Sequence, residues 1–188
     1  MPDPRKNEIE DCRIEDCQEV VAKNPDDAQA HFKLGLACRQ AKMFEEAAQA
    51  YKTSSHLDPD NAKTLHGLAI VYRKLQRYDE SIAVCREVLK LDPNHVKILF
   101  NLALVFEEQG KWEEAIAQHH KVLALDPDDF QAHYNLARVY DLVQDGSQAI
   151  QHTKKAASVA AKENDEKGGK NSKSLLADLR KKYGAKNN

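Results

Sequence analysis

Long apolar runs are missing from this sequence. The longest, Ile98 to Phe106, is interrupted by Asn101, well short of the ~18 residues that suggest a membrane span. The amino terminus, Met1 to Glu10, is polar and charged and lacks the apolar stretch of a signal peptide. A soluble, cytoplasmic chain is expected, unless a signal has been removed. An excess of charge of one sign is missing too. The formal net charge is −2, so no global basic field draws the chain to nucleic acid or to an anionic membrane. No nucleic-acid partner is expected, and any electrostatic targeting must come from local patches. Aromatics make up only 6% of the 188 residues, whereas 31% are charged. That mix suits a helix-rich protein with a solvated outside.

The chemistry of catalysis is missing as well. Cys12, Cys17, Cys38 and Cys85 form no CxxC pair, which argues against structural zinc. They read as small core thiols in a reducing compartment. No phosphate-binding loop, dinucleotide fingerprint or HExxH is present. His119 and His120 are adjacent, so they point in different directions on a helix and form no one-face pair. His119 falls on a core position. The acidic pairs Glu45-Glu46, Asp79-Glu80 and Glu113-Glu114 each open a helix, where they oppose the positive end of its dipole. No nucleophile stands with a base. The expectation is a protein without catalytic activity, cofactor or metal.

What is present is a period. Pro25, Pro59, Pro93 and Pro127 are each 34 residues apart, within Asn24-Pro25-Asp26, Asp58-Pro59-Asp60, Asp92-Pro93-Asn94 and Asp126-Pro127-Asp128. Proline cannot continue a helix interior and pushes its predecessor out of the helical region. The four sites therefore mark helix ends. Leu34, Leu68, Leu102 and Leu136 keep the register, each followed by a small residue, Gly35, Ala69, Ala103 and Ala137. Cys38, Tyr72, Phe106 and Tyr140 come three places later, and Ala47, Ser81, Ala115 and Ala149 align again. Spacings of 3 and 4 are helical. Short breaks separate the halves, and Gly110 and Gly146 suit a positive φ at a helix end.

This pattern resembles the tetratricopeptide repeat, with its period of 34 and its L-G…Y…A…F…P signature. The first full unit has Leu34-Gly35, Ala47, Tyr51 and Pro59, and the third has Leu102-Ala103, Phe106, Ala115 and Pro127. The resemblance covers about residues 8 to 162. It implies an all-α, right-handed superhelical solenoid of antiparallel helix pairs. Four units are expected, at 28–61, 62–95, 96–129 and 130–162. Residues 1–25 read as a half-repeat or capping helix, or as the remnant of a trimmed chain. Residues 163–173 read as a flexible polar linker. Residues 174–188 read as a short basic amphipathic helix and tail, with Leu175, Leu176, Leu179 and Tyr183 in one stripe.

Stacked helix pairs bury a shared core and leave an extended concave face. The resemblance places that face on the first helix of each unit. By register the stripe takes in Phe32, Arg39, Lys63, His66, Arg73, Lys97, Phe100, Asn101, Tyr134, Asn135 and Arg138. Its cations gather early, and Glu107, Glu108 and Asp141 gather late, so a bipolar groove is expected. A protein or peptide partner follows, acidic toward the N-terminal half. Charges steer, whereas Phe32, Phe100 and Tyr134 are the better anchors. The alternative is that these aromatics pack between units and the lysines are ordinary surface. In some family members an asparagine at the register of Asn101 and Asn135 holds a peptide backbone, but Lys33 and Gly67 fill the other two units. The lysine and asparagine clamp of chaperone adaptors is not matched, because Phe32 and Leu36, or His66 and Ile70, stand in its place.

Self-association is a second reading, on the strength of the irregular chain ends, and would suit a scaffold on an organelle or membrane surface, as in the magnetosome-associated type. The terminal stripe is open between a disordered tail, a cap over the fourth unit and a competitor for the groove.

Overall fold

The computed structural model describes residues 13–184. The chain divides into two compact units, Met1–Pro93 and Asn94–Asn188. The first contains α1 (Ile14–Lys23), α2 (Ala28–Gln40), α3 (Phe44–Leu57), α4 (Ala62–Lys74) and α5 (Tyr78–Leu91). The second contains α6 (Val96–Glu108), α7 (Trp112–Leu125), α8 (Phe130–Leu142), α9 (Gly146–Lys162) and α10 (Glu166–Gly184). Among the described residues every regular element is a helix. In each unit successive helices pack on one another, and α2 also touches α4.

The helix ends follow from local chemistry. Side chains of Asp27, Asn61, Asp129 and Asp145 accept hydrogen bonds from first-turn amides of α2, α4, α8 and α9, satisfying donors that a helix leaves unpaired. The four prolines sit in the turns after α1, α3, α5 and α7. The turn inside each helix pair passes through the left-handed region at Lys42, Gln76, Gly110 and Gln144, with φ of 63°, 59°, 72° and 62°. Only Gly110 meets that demand with glycine. Gly146 does not: it is the buried first residue of α9. Its place is fixed by a neighbour, because a Cβ there would collide with the Tyr183 ring.

The repeated small residues make the core. Ala69, Ala103, Ala137, Ala47, Ala115 and Ala149 are fully buried, and Leu68, Leu102 and Leu136 pack beside them. Ser81 replaces alanine in the second helix pair and donates to the Ala69 carbonyl at 2.7 Å. The cysteines split. Cys38 and Cys85 are buried thiols outside any disulfide, whereas Cys17 is disulfide-bonded and departs from the expectation of thiols throughout. Part of the expected capping helix, with Cys12, lies outside the described residues, as do the last four residues of the tail.

The flexible linker is not there. With Ala161 in place of a fifth proline, α9 runs to Lys162 and a turn of three residues leads directly into α10. Asp165 accepts from the Gly168 amide at 3.0 Å and so caps α10. Gly168 is a packing residue, since a Cβ would meet Phe130 Cζ at 2.9 Å. The last helix therefore begins eight residues before Ser174. It docks along α9 and reaches α8, with Leu179 buried at 1% exposure.

Candidate protein-interaction surface

In the first unit the expected residues fall on α2 and α4. Phe32, Arg39, His66 and Arg73 are half-buried and Lys63 is exposed. Phe32 leans on Tyr51 of α3, with ring centroids 5.9 Å apart. Tyr51 is 1% exposed, and burial pushes its hydroxyl up to about 12. Its ring occupies the space that two glycines leave open. A Cβ on Gly35 would lie 2.8 Å from it, and one on Gly67 2.7 Å. Gly67 therefore interrupts the asparagine register to admit an aromatic wedge from another helix. Neither α2 nor α4 contains a carboxylate, while together they carry Lys33, Arg39, Lys63, Arg73 and Lys74. This part of the stripe is basic without an internal counter-charge on its own helices.

In the second unit Lys97 and Arg138 are exposed, Phe100 and Tyr134 are half-buried, and Asn101 and Asn135 are buried. Phe100 meets the edge of His119 at 5.5 Å, and Tyr134 stacks on Phe130 at 5.8 Å. Both aromatics thus have partners within the unit. Asn101 and Asn135 are 3% and 7% exposed, so they sit at the base of their helices' contacts rather than on an open face.

The expected acidic end of the stripe is a correction. Glu107 lies 2.6 Å from Nε2 of the fully buried His119. Asp141 accepts from Lys182 Nζ at 2.7 Å and from the Tyr183 hydroxyl at 2.8 Å. Burial disfavours the charged form of Asp141, but these two hydrogen bonds outweigh it, and the carboxyl is held below its ordinary value. Glu107 and Asp141 are therefore answered by groups from other helices. The sequence register could not reveal that, because α7 and α10 supply the partners.

A second cluster escaped the register. His133 lies with Nε2 3.0 Å from the Pro127 carbonyl and Nδ1 2.9 Å from His152 Nδ1. A carbonyl only accepts, so Nε2 of His133 carries the proton and His152 donates to its Nδ1. The Tyr140 ring stacks on His152 at 5.5 Å, and its hydroxyl is 3.1 Å from His120 Nε2. Burial, with His133 and His120 beside it, pushes His152 down to about 4. Among the described residues no group of three or more histidines, cysteines or carboxylates could hold a metal ion. Nor is any helix long and apolar enough to cross a membrane. His31 shares the register of His133 and likewise meets a proline carbonyl, Pro25, at 2.8 Å.

No curated protein sequence is significantly similar to the chain. Solved structures are. The crystal structure of MamA superposes with a TM-score of 0.75 at 19% identity, over 81% of this chain and 89% of that one. MamA from Desulfovibrio magneticus RS-1 gives 0.73 at 18% identity, over 82% and 85%. YrrB, described as a tetratricopeptide-repeat protein with an unusual peptide-binding site, gives 0.68 at 19% identity, over 86% and 81%. At these identities the likeness is one of fold. Three family models, each described as the tetratricopeptide repeat, match residues 15–62, 60–128 and 106–166. With the 34-residue register, the paired helices and these matches in agreement, the chain belongs to the tetratricopeptide-repeat family.

Proposed function

We propose that the chain is a non-catalytic protein-interaction module that binds an acidic peptide or protein segment on the first-helix stripe. The observation that carries this is the pair α2 and α4, whose own sequences hold five cations and no carboxylate, with the exposed Lys63 and Lys74 and the half-buried ring of Phe32 among their residues. Exposed ion pairs contribute only ~0–1 kcal/mol each, so the cations steer and orient while Phe32 supplies contact area. On the same two helices Lys63 and Lys74 are exposed, and Arg39, His66 and Arg73 are half-buried. Peptide binding by the similarly folded YrrB supports the reading.

The test is Lys63→Glu with Lys74→Glu, both exposed, titrated calorimetrically against partners captured with the unaltered protein. A loss of roughly tenfold or more in affinity is expected. Unchanged affinity for every partner overturns the proposal.

A scaffold that self-associates, on an organelle or membrane surface, is the second reading. It is favoured by α1, which packs on α2 and leaves Val20 45% exposed on its other side. Light scattering at rising concentration decides it, and a strict monomer rules it out.

A further inference from the structure

A groove of about 850 Å³ lies between α9 and the C-terminal end of α10. Its α9 wall runs from Gly146 to Ser158, ~18 Å at 1.5 Å per residue. The half-buried Ile150 and the ring of Tyr183, packed on Gly146, give it an apolar part. The Tyr183 hydroxyl is already held by Asp141. The charged groups of the lining are Lys154, Lys155 and Arg180, all exposed, with no carboxylate among them. Two carboxylates lie beside the lining, and both have partners: Asp141 is bonded to Lys182 and the Tyr183 hydroxyl, and Asp128, which feels Lys155, is bonded to Lys162.

The repeat pattern breaks at this wall. α3, α5 and α7 each open with an exposed acidic pair, Glu45-Glu46, Asp79-Glu80 and Glu113-Glu114. At that register α9 has Ser147-Gln148 and no acid in its first turn. Lys154-Lys155 stand where α5 has Arg86-Glu87. The acids that would repel an anion from the corresponding face of the other second helices are absent from this one. The whole C-terminal stretch shares the bias. Residues 146–188 hold 10 Lys and Arg against 4 Asp and Glu, net +6, whereas residues 1–145 hold 18 against 26, net −8. The overall charge of −2 conceals this polarity.

We propose that the α9–α10 groove is a separate docking site for an acidic peptide segment of a partner protein. An aliphatic side chain of the segment packs on Ile150 and Tyr183, and its carboxylates meet Lys154, Lys155 and Arg180. The trough is too long for one phosphate group to fill, and its concavity suits a strand or helix of peptide rather than a flat bilayer. This site uses different helices from the first-helix stripe and does not rest on that reading.

The test is fluorescence anisotropy of a fluorescein-labelled Glu-Leu-Glu-Glu-Leu-Glu-Glu-Leu peptide with the full chain, together with photo-crosslinking from benzoylphenylalanine placed at Gln151. Lys154→Glu with Lys155→Glu is expected to weaken binding roughly tenfold, and Arg180→Gln to weaken it by a smaller factor. Circular dichroism confirms that each variant keeps its helices. The peptide is expected to cross-link at position 151, and Lys63→Glu with Lys74→Glu to leave that cross-link intact. Equal affinity in the lysine-reversed variant, or no cross-link, overturns the proposal. So does binding of phosphatidylserine vesicles or inorganic phosphate in place of the peptide. A loss confined to the Lys63 and Lys74 variant removes this site and leaves the first-helix stripe standing.

Discussion

Gly67 departs from the register of Asn101 and Asn135, and the departure has a packing cause. Tyr51 enters from α3, and its ring leaves no room for a Cβ at Gly35 or Gly67. Ring atoms held on both sides cannot swing away, so overpacking here is costly. Gly67→Ala is expected to destabilise by about 1–3 kcal/mol, read as a lower urea midpoint, and a loss below half a kcal/mol would mean that the ring yields freely. The opposite change is expected at Gln76 and Gln144. Both hold a positive φ that costs an ordinary residue about 1 kcal/mol or more. Gln144→Gly is therefore expected to raise stability by ~0.5–1 kcal/mol in the same measurement, and a fall would contradict it. The sequence exposes Gly67 as an exception and Gly110 as a turn. It does not expose the reason for Gly67, which lies sixteen residues away on a different helix.

Helix boundaries are legible because they are written locally, in Asp27, Asn61, Asp129 and the four prolines. The last helix is not, for a related reason. Gly168 and Gly169 have low helix propensity and sit among polar residues, so the segment reads as a linker. Its helix forms because α9 supplies a surface, and tertiary packing overrides weak local preference. The groove charges were misread in the same way: Glu107 and Asp141 stand in the right register, but His119, Lys182 and Tyr183 reach them from other elements. α10 is therefore a structural cap. Removing residues 165–188 uncovers Gly146, Phe130 and Ala160, which Tyr183, Gly168 and Gly169 approach, and is expected to lower the melting temperature. An unchanged transition would mean that the helix contributes nothing to stability. Gly146→Ala, which collides with Tyr183, is expected to lower it in the same direction by a smaller amount.

At the scale of the whole molecule, the two units differ in what acid does to them. His120, His133 and His152 gather between α7, α8 and α9, all in the second unit. His152 has its folded value pushed down to about 4 from 6.5, so the unfolded chain binds a proton more readily between those limits. The stability that neutral His152 contributes is complete above pH 6.5 and is lost as the pH falls toward 4. The loss is at most about 3 kcal/mol by linkage, a large share of the ~5–15 kcal/mol that holds a domain together. Protonation also places a buried charge on His152, beside the rings of His133 and His120. Trp112, the single tryptophan of the chain, opens α7 and reports on this unit. On acidification its fluorescence is expected to change before the helical circular dichroism of the whole chain is lost. His152→Gln, which cannot gain a proton, is expected to move the tryptophan transition to lower pH and bring the two signals together. Coincident transitions in the unaltered protein, or a tryptophan midpoint that His152→Gln leaves in place, would show that acid acts elsewhere.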